Sequence, residues 1–284
     1  MGAHDNPPPP AGTTILQDSQ VTPDMTAWAV SVLHDGSVPL FGTVQKTIDG
    51  LDLIARKEWH PPEPSIPSWH YGVTLYHVVG GPMNIVSATA KVGARGTDSV
   101  TLIQSATMAQ NLKAAGVDFV LQYLGSVTAE HVGFILAAGM AFMPVTYADK
   151  FDGPTTVAEL QALGMPKGIT TWLDVEAVGT MDPTLLKSKI NAWAKAVQAA
   201  GYVAGLYVGA GCPLTSIELY QLAVTRYWHS LSRTVDRNGA DSCPACGWCM
   251  YQLFPSETVG GVWSDYDFVQ QDWQGRLPTW AVAA

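Results

Sequence analysis

The sequence predicts an α/β chain built on a (β/α)8 barrel of the TIM type, preceded by a β-rich N-terminal extension or small domain. Three observations carry this expectation. Four times after residue 105 a helical stretch ends in a glycine and runs straight into a β-prone segment. The β-prone segments are apolar throughout rather than alternating, as strands covered on both faces are. No glycine-rich phosphate loop follows any of them, which disfavours an open nucleotide-binding sheet. The chain has 284 residues, room for one barrel of roughly 250 residues or about two smaller domains.

The four junctions come in order. Lys113-Ala114-Ala115-Gly116 leads into Val117–Tyr123, and Leu136-Ala137-Ala138-Gly139 into Met140–Tyr147. Leu160–Gly164 leads, after Pro166 and Gly168, into Ile169–Val175, and Val197–Gly201 into Tyr202–Val208. Glycine just past a helix supplies the left-handed residue that stops it. Repetition of the unit means βα crossovers and a parallel sheet. A first strand near Val92–Asp98 and a last near Trp263–Val269 complete a set that suits eightfold closure.

The first third reads differently. Residues 1–14, with Pro7 to Pro10 in a row, form an extended arm of polyproline type. Residues 15–90 hold short β-prone runs, Trp28–Leu33, Val38–Val44, Leu51–Ala55 and Tyr71–Val79, with turn signals at His34-Asp35-Gly36 and Asp49-Gly50. The expected division is therefore arm 1–14, β-rich module 15–90 and barrel 91–284.

Charge narrows the partners. Fifteen Lys and Arg face 24 Asp and Glu, a formal net charge of −9. Such a chain is poorly suited to nucleic acid or an anionic membrane surface. The opening MGAHDNPPPP has neither the basic nor the apolar region of a secretory signal, and Asn6 breaks the myristoylation pattern. The uncharged stretch Val132–Ala148 is short for a bilayer and reads as a helix end, a turn and a strand. A soluble protein is expected, delivered by some other route if it acts on the cell envelope.

The chemistry concentrates in Thr170-Thr171-Trp172-Leu173-Asp174-Val175-Glu176. Alternation along a strand puts Asp174 and Glu176 on one face, ~6–7 Å apart, at the C-terminal end where parallel α/β folds build their sites. Two carboxylates in unlike surroundings can divide roles, one held protonated and one ionised, as glycoside hydrolysis requires. A helix cap or a salt bridge is the plain alternative for the same residues. Other strand ends add Asp98, Tyr123, Tyr147, Asp149, Tyr207, Gln252, Asp265 and Asp267. Trp172, Trp228 and Trp263 are of the type that stacks on sugar faces, although packing in a core is the commoner use of tryptophan.

In the order Gly96-Thr97-Asp98, Leu112–Gly125, Asp174-Val175-Glu176, Gly205-Leu206-Tyr207, Tyr251-Gln252 and Asp265-Tyr266-Asp267, the chain resembles the glycoside hydrolase-like barrel family of uncharacterised function. That family is distantly similar to the family 25 lysozymes (muramidases), which cleave the glycan strands of peptidoglycan. The resemblance spans about residues 92–275. It implies a barrel with an acidic pocket at its C-terminal mouth, Glu176 as general acid, Asp174 assisting and Asp98 as a third catalytic acid. Tyr123, Tyr147, Trp172, Tyr207, Gln252, Asp265 and Asp267 are then the substrate-binding candidates. Thr97 and Tyr251 depart from the pattern, each standing where an aromatic residue or tryptophan is usual. The implied activity is that of a peptidoglycan-degrading glycosidase, in the setting of a phage virion-associated lysin. The alternative is a non-catalytic structural or glycan-binding protein on the same barrel. Cell-wall glycan is the expected partner, with other virion proteins docking through residues 1–90.

The four cysteines stand apart from this chemistry. Cys243, Cys246 and Cys249 give two overlapping C-x-x-C spacings, with Cys212 the fourth. A structural zinc, disulfides and free thiols all fit that pattern. The seven histidines form no H-E-x-x-H motif, so no catalytic metal or other cofactor is expected.

Overall fold

The structure is a computed structural model describing residues 6–10, 13–49, 51–62, 66, 68, 70–78, 84–147, 151–176, 178, 181–232 and 246–284. The chain forms two compact units, residues 1–82 and 83–284.

In the first unit, β1 (Thr13–Ile15), α1 (Pro23–His34), β2 (Thr43–Ile48), β3 (Leu51–His60) and β4 (His70–Val78) follow in order. The strands form an antiparallel sheet ordered β1-β4-β3-β2. Helix α1 corrects the expected strand at Trp28–Leu33. Thr22 caps it by accepting from the Met25 amide, and Pro23 occupies the first turn. Met25, Trp28 and Val32 recur at helical spacing and bury against Leu53, Ala55 and Leu75 of the sheet. Local β propensity yields here to that spacing and cap. On β3, the buried Arg56 pairs with buried Glu58 and donates to the Tyr76 hydroxyl at 2.8 Å. Its remaining donors reach the carbonyls of Pro8 (2.8 Å) and Pro7 (3.0 Å). The proline arm is thus hydrogen-bonded to its own module, and each buried guanidinium donor used in these contacts has an acceptor.

The second unit opens with β5 (Ile85–Thr89), which pairs antiparallel with β14 (Thr279–Ala283), the last strand of this same unit. The barrel itself is β6 (Arg95–Asp98), β7 (Phe119–Tyr123), β8 (Ala141–Tyr147), β9 (Thr170–Val175), β10 (Val203–Val208), β11 (Arg226–Ser232), β12 (Met250–Val259) and β13 (Val262–Val269). Consecutive strands pair all the way round, and β13 returns to β6, so the ring closes on eight strands. Helices α2 (Ala106–Ala114), α3 (Ala129–Ala137), α4 (Gly153–Ala162), α5 (Pro183–Ala199) and α6 (Ser216–Tyr220) lie in the crossovers. Their starts are written in the sequence: Ser105, Thr128, Asp152, Asp182 and Thr215 each accept from a first-turn amide. The junction glycines 116, 139, 164 and 201 all have φ between +69° and +92°, the left-handed region expected of them.

One strand departs from a uniform parallel barrel. β13 runs antiparallel to both β12 and β6, because it follows β12 through the tight Gly260-Gly261 turn and not through a helix. Along each strand the side chains divide by alternation. Val120, Phe142, Leu173, Val175 and Leu206 face the helices. Phe119, Leu121, Met143, Val145, Trp172, Tyr207 and Trp228 fill the barrel. No helix among the described residues is long and apolar enough to cross a membrane.

Candidate active site

The barrel filling turns from apolar to acidic toward the C-terminal mouth. On β9, Trp172 lies in the lower layer, Asp174 in the next, and Glu176 just past the strand end. Register sets Tyr147 of β8 and Tyr207 of β10 beside Asp174. On the far side, Asp265 of β13 stands opposite Asp98 of β6, and Asp267 opposite Gly96 one layer deeper. β13 therefore delivers two acids to the site from an antiparallel strand.

A cleft of about 420 Å³ opens above these residues. Asp98, Tyr123, Glu176, Tyr207, Gln252 and Asp265 line it, so six of the ten expected site residues meet in one space. Asp174 and Asp267 lie beneath it, 2% and 0% exposed. Tyr147 stacks on Tyr123 with ring centroids 4.0 Å apart. Trp172 is a correction to the sugar-stacking expectation. It is fully buried, packed edge-on against Trp228, with its indole N–H directed at the Met143 sulfur. Two residues before Asp174 on an inward-facing alternation is already the floor of the barrel. Of the three tryptophans considered, Trp263 alone lines the cleft and is exposed. Ser99, Ser230, Phe254 and Ser264 complete much of the wall and were not expected. Ser230 could have been found by counting two along the inward face from Trp228. Asp149 lies outside the described residues.

Two hydrogen-bonded chains fix the acids. Tyr207 donates its hydroxyl to Gln252 Oε1 at 2.7 Å, and Gln252 Nε2 donates to Asp98 Oδ2 at 2.7 Å. Tyr123 donates to Asp174 Oδ2 at 3.2 Å. Glu176 packs so close to Gly209 that a Cβ there would meet Glu176 Cβ at 2.6 Å and Oε2 at 2.9 Å. No lysine, arginine or histidine occurs among the described residues lining the cleft.

Electrostatics follow from that crowding. Burial pushes Asp98 up to about 7, with the charge on Asp265 adding to it and the Gln252 hydrogen bond opposing it. Burial and then the neighbouring Glu176 push Asp174 up to about 8. Glu176 is raised by burial and by Asp265. Asp267 is held well above the carboxylate range by burial, with Asp98 adding to it. These groups cannot all ionise together near neutral pH, so the site stores protons next to an open cleft. That is the condition for general-acid chemistry.

The thiols are separate from this site. Cys212, Cys246 and Cys249 are buried and free, and Cys243 lies outside the described residues. Among the described residues no group of three or more His, Cys, Asp or Glu is placed to hold a metal ion.

Residues 105–276 match the Rv2525c-like, glycoside hydrolase-like domain family. A comparison with the curated proteins gives no match. Among solved structures, an uncharacterised B. stearothermophilus protein shares the fold at 18% identity and a TM-score of 0.51, covering 63% of this chain and 96% of its own. The catalytic domain of endolysin ply40 from bacteriophage P40 of Listeria monocytogenes aligns at 14% identity and TM-score 0.42, covering 64% of this chain and 95% of its own. GHIP, a glycosyl hydrolase 25 of Streptococcus pneumoniae, aligns at 12% identity and TM-score 0.43, covering 62% and 87%.

Proposed function

Since the chain belongs to the Rv2525c-like, glycoside hydrolase-like domain family, we propose that it is a glycosidase acting on the glycan strands of peptidoglycan. The observation that carries this reading is Glu176. It is a carboxyl with a raised proton affinity that lines an open cleft alongside Asp98 and Asp265.

In this reading Glu176 donates its proton to the glycosidic oxygen as the bond to the leaving sugar breaks. Positive charge builds on the ring carbon and oxygen of the other sugar. The carboxylates facing it, Asp265 and the ionised fraction of Asp98, stabilise that charge until a water adds to the ring carbon, forming the new reducing end and returning a proton to Glu176. Asp174, protonated through neutral pH and fixed by Tyr123, serves as a neutral support under Glu176. Its own negative charge would otherwise compete for the same space. Burial makes the arrangement effective, because water is largely excluded from the acids beneath the cleft.

The test is release of reducing ends from purified peptidoglycan. Glu176→Gln is expected to lower the rate about 10²–10⁴-fold while circular dichroism and Tm stay close to the parent. Equal rates in parent and variant contradict the assignment.

The phage setting and attachment through residues 1–90 belong to the same proposal. Attachment through that part is supported by the N-terminal unit having its own core. Co-sedimentation with virions is expected for the full chain and lost when residues 1–82 are removed. Retention by the truncated chain contradicts attachment through that unit.

A further inference from the structure

The cleft has one wall unlike the rest. β12 and β13 continue past the barrel rim as a hairpin, pairing Glu257 with Ser264, Thr258 with Trp263 and Val259 with Val262. Trp263 is 61% exposed there. Alternation puts its side chain on the same face of β13 as Asp265 and Asp267, the face that looks into the barrel. Two residues of strand, ~7 Å, separate it from Asp265. Its backbone is held from both sides, by Thr258 of β12 and by Ser99. The Trp263 carbonyl accepts from the Ser99 hydroxyl at 2.7 Å, and Ser99 follows Asp98 directly. Trp263 is thus a large exposed aromatic ring lining the cleft one step above its acids, of the kind on which an apolar face can stack.

The remaining lining sets the chemistry of that ligand. Asp98, Glu176 and Asp265 are acids, two of which (Asp98 and Asp265) remain in the Glu176→Gln protein, and the other described lining residues are neutral. An anionic sugar entering there adds its charge beside acids and meets no cationic side chain among the described lining residues. We propose that Trp263 is the platform of a sugar subsite adjoining Glu176, and that this subsite takes an uncharged pyranose through its apolar C–H face. The inference rests on the glycosidase reading of the same cleft and adds the charge class of the bound sugar.

The experiment uses the full chain carrying Glu176→Gln, so that no probe is consumed, and calorimetric titration. The probes are triacetylchitotriose, which is uncharged, and a hyaluronan oligosaccharide of similar length, which carries uronates. Triacetylchitotriose is expected to bind, and hyaluronan to bind at least about 10-fold more weakly. Adding Trp263→Ala is expected to weaken chitotriose binding about 10-fold, and Trp263→Phe about 3-fold or less. The graded pair separates loss of stacking from loss of fold, with Tm as the control. Unchanged affinity in Trp263→Ala, tighter hyaluronan, or no chitotriose binding at all overturns the platform. Cleavage of peptidoglycan by the parent with chitotriose binding insensitive to Trp263 sinks this inference alone. Trp263-dependent binding with no cleavage by the parent sinks the hydrolase reading and leaves the subsite standing.

Discussion

Gly209 shows how finely Glu176 is placed. Any side chain at 209 would press on Glu176 and on the Tyr207 ring, at 2.7 Å from its Cε1. Gly209→Ala is therefore expected to move the acid without unfolding the barrel. The turnover rate falls about 10-fold or more while Tm changes by only a few degrees, which steady-state kinetics beside thermal melts will check. Proton affinity gives a second test at this scale. Glu176 must be protonated to act, so activity falls as pH rises through its raised pKa. Asp265→Asn removes a charge that helps hold that proton, and so shifts the alkaline limb of the pH–rate profile to lower pH. A limb that stays put or moves up contradicts the coupling. The placement of Asp98, Asp174 and Glu176 at inward-facing strand ends was legible in the sequence because side chains alternate along a strand. The sequence did not reveal that Asp174 lies below the cleft and Glu176 in it, since depth in a barrel depends on stagger between strands. Trp172, two residues deeper on the same inward face, lies in the barrel floor and not at its mouth.

At the scale of elements, the interior packing is tight enough to dictate glycine. A Cβ on Gly205 of β10 would lie 2.5 Å from the Trp172 ring, its register partner on β9. Gly205→Ala is expected to cost about 1–3 kcal/mol, read by denaturant unfolding. An unchanged midpoint would show that the indole has room to shift. The long helix α5 makes the complementary case. Leu186, Ile190, Trp193, Ala194 and Val197 form its buried stripe, and Asp182 caps it through the amides of Thr184 and Leu185. Helix caps, helix–glycine–strand junctions and apolar strands are local signals, which is why the crossovers could be read in order. α1 starts at the signal Thr22-Pro23, yet Trp28–Leu33 is β-prone residue by residue, so local propensity hides the helix. The reversed direction of β13 is hinted at only by Gly260-Gly261, which marks a hairpin. Direction is a property of pairing, which no single segment states.

Over the whole molecule, the acid cluster is a stability liability accepted at one end of the barrel. Asp98 and Asp174 titrate near 7 and 8 in the fold against an ordinary 3.8. Between roughly pH 4 and 8 the folded protein then holds more protons than the unfolded chain. The contribution of these groups is full below pH 4, falls as pH rises, and levels off above the folded pKa values. The barrel unit is expected to melt at a lower temperature at pH 8.5 than at pH 5.5 on this account. Asp174→Asn should narrow that gap, by ~2–4 °C for each kcal/mol relieved. A gap of unchanged width in the variant contradicts the assignment of the strain to Asp174. Burial and acidic neighbours, which weaken the fold at high pH through Asp98 and Asp174, also raise the proton affinity of Glu176.

On the proposed function, the acid-lined mouth breaks glycan strands through Glu176. Mass spectrometry of the soluble products from purified peptidoglycan tests it most directly. The expected result is muropeptide fragments with newly formed reducing sugars from the parent protein, and none above background from Glu176→Gln at equal folded concentration. Intact glycan strands after digestion with the parent, or the same fragments from both proteins, would contradict it.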